Sequence, residues 1–165
     1  MPLRSVLPLG IIAAFFTLPC LKAVGQQCVN DRLRIEVDAT TGGGSISVEL
    51  KNDSEKPLKI FKTTNGWGAN RYWVQVIRKA RVYGFFEESK DAYFYTHPGF
   101  SEIAPHSRLE RSLDLNDGNW GGRRGRRFAL QSGDRVVVLY DVPFTKAAEK
   151  FNVWCGFVGG TAIVP

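Results

Sequence analysis

The chain is poor in the residues from which most enzyme sites are built. Its 165 residues hold two histidines, three cysteines and a single methionine, Met1. His97 and His106 both sit beside turn-forming residues and lack the HxH or HExxH spacing of a metal centre, which needs three or more converging ligands. With Glu102 between them they make at most a loose trio, and two exposed turn histidines is the simpler reading. There is no GxSxG elbow and no CxxC pair. The carboxylate pairs Glu87-Glu88 and Asp114 with Asp117 fall in polar, turn-like stretches. Metal and cofactor are therefore expected to be absent, and the chain is read as non-catalytic.

Long apolar runs are equally scarce, with one exception at the start. Met1-Pro2-Leu3-Arg4 is a short basic opening, Val6 to Leu21 is largely apolar, and Lys22-Ala23-Val24-Gly25-Gln26 carries small residues where a signal peptidase needs them. Residues 1–25 read as a secretory signal and 26–165 as the domain that follows. Pro8 and Pro19 break the run, which disfavours the alternative of an uncleaved membrane anchor. A lipoprotein site at Cys20 is disfavoured by the bulky Pro19 before it. No transmembrane segment is expected after cleavage, and the destination is periplasmic or extracellular.

Cleavage removes Arg4, Lys22 and Cys20, leaving 20 basic residues against 16 acidic and two cysteines, Cys28 and Cys155. In an oxidising compartment these two are expected to pair; two buried free thiols is the alternative. Closing a loop of roughly 128 residues would restrict the unfolded chain by roughly 4 to 5 kcal/mol in the chain-entropy treatment.

What the remaining sequence does have is period two. Leu33, Ile35 and Val37 alternate with Arg34, Glu36 and Asp38; Ile46, Val48 and Leu50 alternate with Ser47, Glu49 and Lys51, across a Thr40–Gly44 turn. A third strand begins at Leu58. Tyr72–Ile77 reads as a strand with Trp73 as a core anchor, and Arg81–Phe86 continues it as a hairpin or an edge. Glu87 to Asp91 reads as exposed, and Tyr93-Phe94-Tyr95 as a short strand. Further strands are expected around Leu109–Leu115, at Val136–Tyr140 in a central position, and at Phe151–Val158, carrying Trp154 and Cys155. Only Phe144–Lys150 looks helical. Seven to nine short strands predict an all-β, single antiparallel immunoglobulin-like β-sandwich, with a small β-barrel as the alternative.

Two loops stand out. Gly118-Asn119-Trp120-Gly121-Gly122-Arg123-Arg124-Gly125-Arg126-Arg127 places four arginines behind a Trp, and guanidinium forks suit phosphate, carboxylate or sulfate. Export argues against nucleic acid as the partner; a solvated loop or a protease-sensitive site are the plainer alternatives. Thr63-Thr64-Asn65-Gly66-Trp67-Gly68 is the second, with Trp67 between glycines. These loops resemble those of chagasin-type cysteine-protease inhibitors only in short stretches. The Asn-Pro before the threonines is missing and no Arg-Pro-Trp occurs, so no residue role is carried over. The expectation is an exported binding module, inhibitor or ligand-binding domain. It would engage a protein or an anionic envelope partner through Trp67, Trp120, Arg123, Arg124, Arg126 and Arg127. A structural or accessory envelope protein and a hydrolase with a dispersed site are the alternatives. Asn52-Asp53-Ser54 also matches the N-glycosylation pattern.

Overall fold

The computed structural model describes residues 32–62, 71–87, 99–118, 120–121 and 127–165. Cys28, Trp67, Tyr93–Tyr95, His97, Arg123, Arg124 and Arg126 lie outside them, as does the whole signal segment.

Among the described residues, ten strands and one short helix follow in order: β1 Leu33–Ala39, β2 Ser45–Asn52, β3 Leu58–Phe61, β4 Tyr72–Arg78, β5 Arg81–Glu87, β6 Phe100–Ile103, β7 Arg108–Asp114, β8 Trp120–Gly121, β9 Arg135–Val142, α1 Lys146–Lys150 and β10 Gly156–Ile163. Every pairing is antiparallel. One sheet has the order β1-β2-β7, a second β10-β9-β4-β5-β8, and β3 pairs with β6. The architecture is a β-sandwich whose sheets do not close into a barrel, so the barrel alternative is set aside. The crossing of sequential strands between sheets is the Greek-key connectivity of immunoglobulin-like domains.

The alternation in β1 and β2 builds the first hairpin as expected, with Ile35 facing Leu50 and Val37 facing Val48. Ile46, Val48 and Leu50 point inward to meet Val74, Val76, Val136 and Val138 of the opposite sheet, all fully buried. The layers approach most closely where β1 lies beneath β10. A Cβ on Gly160 would come within 2.8 Å of the Ile35 carbonyl oxygen, so only glycine lets the two backbones meet.

The connection from β9 to β10 corrects the expected last strand. Residues 151–155 do not belong to it. Thr145 caps α1 by accepting from the Ala148 N–H at 3.0 Å, the helix stops at Phe151, and Asn152 turns the chain with φ 52°. Val153, Trp154 and Cys155 then drop into the core, and the strand starts at Gly156. Gly156 has φ 147° with the Trp154 ring 3.1 Å from where a Cβ would stand, so glycine is required there. Cys155 is buried and disulfide-bonded; its expected partner, Cys28, is outside the described residues.

Asn52 is fully buried. Its side-chain nitrogen donates to the carbonyls of Lys56 (2.7 Å) and Ile103 (2.9 Å), and its oxygen accepts from the Ser54 N–H and hydroxyl. The Asn-Asp-Ser triplet is thus the corner that ties β2 to the turn after β6. Its amide is closed to a glycosyl donor in the folded state.

Candidate functional site

The expected loop residues are divided by the structure. Trp120 is 9% exposed and belongs to the core, opposite Glu87 in the β5–β8 register. Its ring is turned inward because it stands across from Glu87, which also faces the interior. Arg127 is exposed at the far end of the same excursion. That excursion is closed at its base by Asn116, whose side chain both donates to the Phe128 carbonyl (3.1 Å) and accepts from the Phe128 N–H (2.6 Å). Asp114 and Asp117 form its first turn, Asp114 accepting from the Asn116 N–H at 2.9 Å. His106 holds φ 53° in the β6–β7 turn, and its Nε2 lies 3.1 Å from Glu55. Among the described residues no three or more of His, Cys, Asp and Glu converge as metal ligands.

Trp73 overturns its expected role. Tyr72, Val74 and Val76 face the core, so parity turns Trp73 outward, where it is 50% exposed. It does not stand alone. On the outer face of the five-stranded sheet, Leu139, Trp73 and Phe86 form one row across β9, β4 and β5. Val137, Gln75 and Gly84 form the next, and Arg135, Ile77 and Val82 a third. β10 extends these rows with Gly159, Thr161 and Ile163, and sets Phe157 beside Asp141. Phe157 and Ile163 are 65% and 67% exposed, and the Trp73 and Phe86 rings lie 6.0 Å apart. A solvent-facing antiparallel sheet ordinarily carries polar residues on its wet side. Here the charges are at the margins: Arg135 at one end of β9, and at the other Asp141, whose N–H donates to the Arg71 carbonyl.

Behind this face lies a polar cluster. Glu87, expected to be exposed, is buried on the inner side of β5 and bonded to Arg111 of β7. The Arg111 guanidinium sits 4.7 Å from the Tyr72 ring centre, and Tyr72 packs on Tyr140 at 4.9 Å, which stacks on Trp154. Among the described residues, Glu87 Oε2, Arg111 Nη1 and the Tyr140 hydroxyl have no hydrogen-bond partner. Burial pushes the Tyr72 hydroxyl up to about 12, opposed by the Arg111 charge, and raises Tyr140 further, so both phenols stay protonated at neutral pH.

The three-stranded sheet offers an open depression of about 520 Å³ lined by Lys51, Asp53, His106, Ser107 and Arg108. Its charged groups are already engaged: Lys51 with Glu36 at 2.5 Å, Arg108 with Glu49 at 3.4 Å, Asp53 with Arg34, and His106 with Glu55. Of these surfaces, the apolar sheet face is the one whose large side chains stay exposed, and nearly unbroken apolar runs in β4 and β9 concealed it.

No family model matches the chain, and no curated protein does. Among solved structures, the solution structure of CsgH from R. palustris is similar over 80% of this chain and 92% of that one, at 12% identity and a TM-score of 0.34. A likeness at that level carries no argument about what this chain does.

Proposed function

We propose that the chain is an exported, non-catalytic binding module that docks a protein through the outer face of its five-stranded sheet. The observation that carries this reading is the exposure of Trp73, Val82, Phe86, Phe157 and Ile163 on one continuous surface. Single exposed hydrophobes are ordinary, whereas a contiguous patch of this kind marks an interaction site. Aromatic residues at its centre and charge at its rim match the anatomy of protein interfaces. The signal-like residues 1–25 support export. The loop reading has less support, since Trp120 is buried.

Photo-crosslinking in the producing cell tests it. A photoreactive residue at Val82 or Phe157 is expected to give a polypeptide adduct identifiable by mass spectrometry. The same residue at Glu36 or Glu110, on the opposite face of the sandwich, is expected to give none. Adducts absent from both outer-face positions would overturn the proposal.

A further inference from the structure

We infer that the protein docked on this face is a second copy of the chain, packed face to face about a two-fold axis that crosses β9 at Val138. The inference rests on the docking surface proposed above and adds the identity of its occupant. Two properties of the face select it, charge and relief.

Charge comes first. β9 presents Arg135, Val137, Leu139 and Asp141 outward, with opposite charges six residues apart at its two ends. An isologous contact brings the same patch of both subunits together, so a residue on one side must suit its counterpart on the other. Laying β9 of a second copy antiparallel over this β9 puts Arg135 opposite Asp141 of the second copy, at both ends of the interface. An axis running along β9 would instead lay the two β9 strands parallel and set Arg135 against Arg135, and Asp141 against Asp141, of the second copy. Like-charge contact at a buried interface is costly, so the antiparallel arrangement is selected, with Arg71, beside Asp141, coming over Ile77 at the margin of the second copy.

Relief points the same way. The antiparallel arrangement exchanges the row through Leu139 with the row through Val137. Phe86 then stands over Gly84 of the second copy, Trp73 over Gln75, and Gly159 over Thr161. At the ends Phe157 meets Ile163. On β5 a phenyl ring thus faces a residue with no side chain. Gly84 is the telling residue. A Cβ there would meet nothing within 4 Å and its φ lies outside the left-handed region, so the fold itself does not require glycine. Glycine in a strand interior weakens the strand and often marks the close approach of another group. A phenyl ring from a second copy supplies that group. Twisted sheets pack at about 30° to one another, so the match is tightest at β9 and β4 and loosens outward.

The size is sufficient. Four strands about 4.8 Å apart and some seven residues long at about 3.3 Å each make a face of roughly 20 by 20 Å. Two such corrugated faces bury on the order of 1,000 Å² together, where specific association begins.

Sedimentation of the exported, disulfide-intact protein tests the inference. A reversible dimer is expected in the micromolar range. Arg135→Asp and Asp141→Arg, each alone, are expected to weaken it about tenfold or more, since each sets like charges across the interface. The double exchange Arg135→Asp with Asp141→Arg is expected to restore association to within about threefold of the parent. That rescue requires position 135 of one copy to meet position 141 of another. Gly84→Gln, whose Cβ meets nothing within 4 Å in the monomer, is expected to abolish the dimer without lowering thermal stability measured well below the associating concentration. A parent that sediments as a monomer throughout, or a double exchange that fails to restore a dimer lost in the single variants, would overturn the second-copy assignment. In those cases a crosslink from Val82 to a different polypeptide would still uphold the docking face, so the two readings fail separately.

Discussion

The two outer faces of the sandwich are built on opposite rules. On the three-stranded sheet, Arg34, Lys51 and Arg108 form a cationic row, and Glu36, Glu49 and Glu110 an anionic row beside it. Like charges stand directly opposite across the strands, and diagonal pairs such as Lys51–Glu36 offset them. This is a surface finished in water, and it needs no partner. The five-stranded sheet presents aromatic and aliphatic side chains at the same distance from the same core. On β5 the usual order is even inverted: Phe86 faces solvent while Glu87 faces inward. Sheet geometry imposes no such arrangement, since the neighbouring sheet avoids it. The apolar face is therefore a property of this sequence and not of the sandwich fold.

The largest effect is expected where that inversion is deepest. Arg111→Ala leaves Glu87 buried without its cation, and breaking a buried pair by removing one partner costs about 3 kcal/mol or more. Urea unfolding should show this as a lower midpoint with an unchanged slope. Lys51→Ala on the charged outer face should stay within about 0.5 kcal/mol, because exposed pairs contribute little. If Lys51→Ala proved as costly as Arg111→Ala, the contrast between a solvated ladder and a buried pair would collapse.

Titration sharpens the same distinction. Asp134, 1% exposed, accepts two bonds from Arg78 (2.8 and 2.6 Å), which hold its carboxyl below the ordinary value against the opposing effect of burial; the Gln131 N–H assists. A depressed folded value means stability that is present above about pH 4 and is lost as the pH falls through the folded value. Asp134→Asn is expected to cost about 2 kcal/mol at neutral pH and to flatten that acid dependence. Tyr72 behaves in the opposite sense. Its folded value is raised to about 12, so its contribution is complete below about pH 10 and declines between about pH 10 and 12. Tyr72→Phe should reduce the alkaline slope of stability measured by urea unfolding.

How much of this could be read beforehand follows from how each strand uses its two faces. β1 and β2 were legible because one face is charged, so alternation identifies the inner side at once. β4 was not: in Tyr-Trp-Val-Gln-Val-Ile nearly every residue is apolar, and parity cannot tell Trp73 from Tyr72. Trp73 was placed in the core, and the same ambiguity hid the site. Glu87 was read as exposed because a carboxylate rarely goes inside without a partner, and Arg111 is 24 residues away in sequence. The last strand was placed too early because Gly156, Gly159 and Gly160 lower its strand propensity, while Phe151–Cys155 looked like a better strand than the cap and plug it forms. The antiparallel sandwich itself needed only the count and spacing of strands.

The smallest expected effect returns to the glycines, where the two sides of one sheet differ most cleanly. Gly160 faces inward and cannot accept a Cβ without displacing the Ile35 carbonyl, so Gly160→Ala is expected to destabilise. Gly84 faces outward into open space. Gly84→Thr removes backbone freedom from the unfolded chain and adds a β-branched residue to a strand, which should stabilise the monomer by about 0.5 kcal/mol. Thermal unfolding at a concentration well below that of any association checks the sign. A stabilised monomer that no longer associates would mean that glycine at position 84 serves what lies outside the fold and not the fold itself. A destabilised monomer would mean that the sheet needs this glycine for its own sake, and the outer face would lose its clearest mark of an occupant.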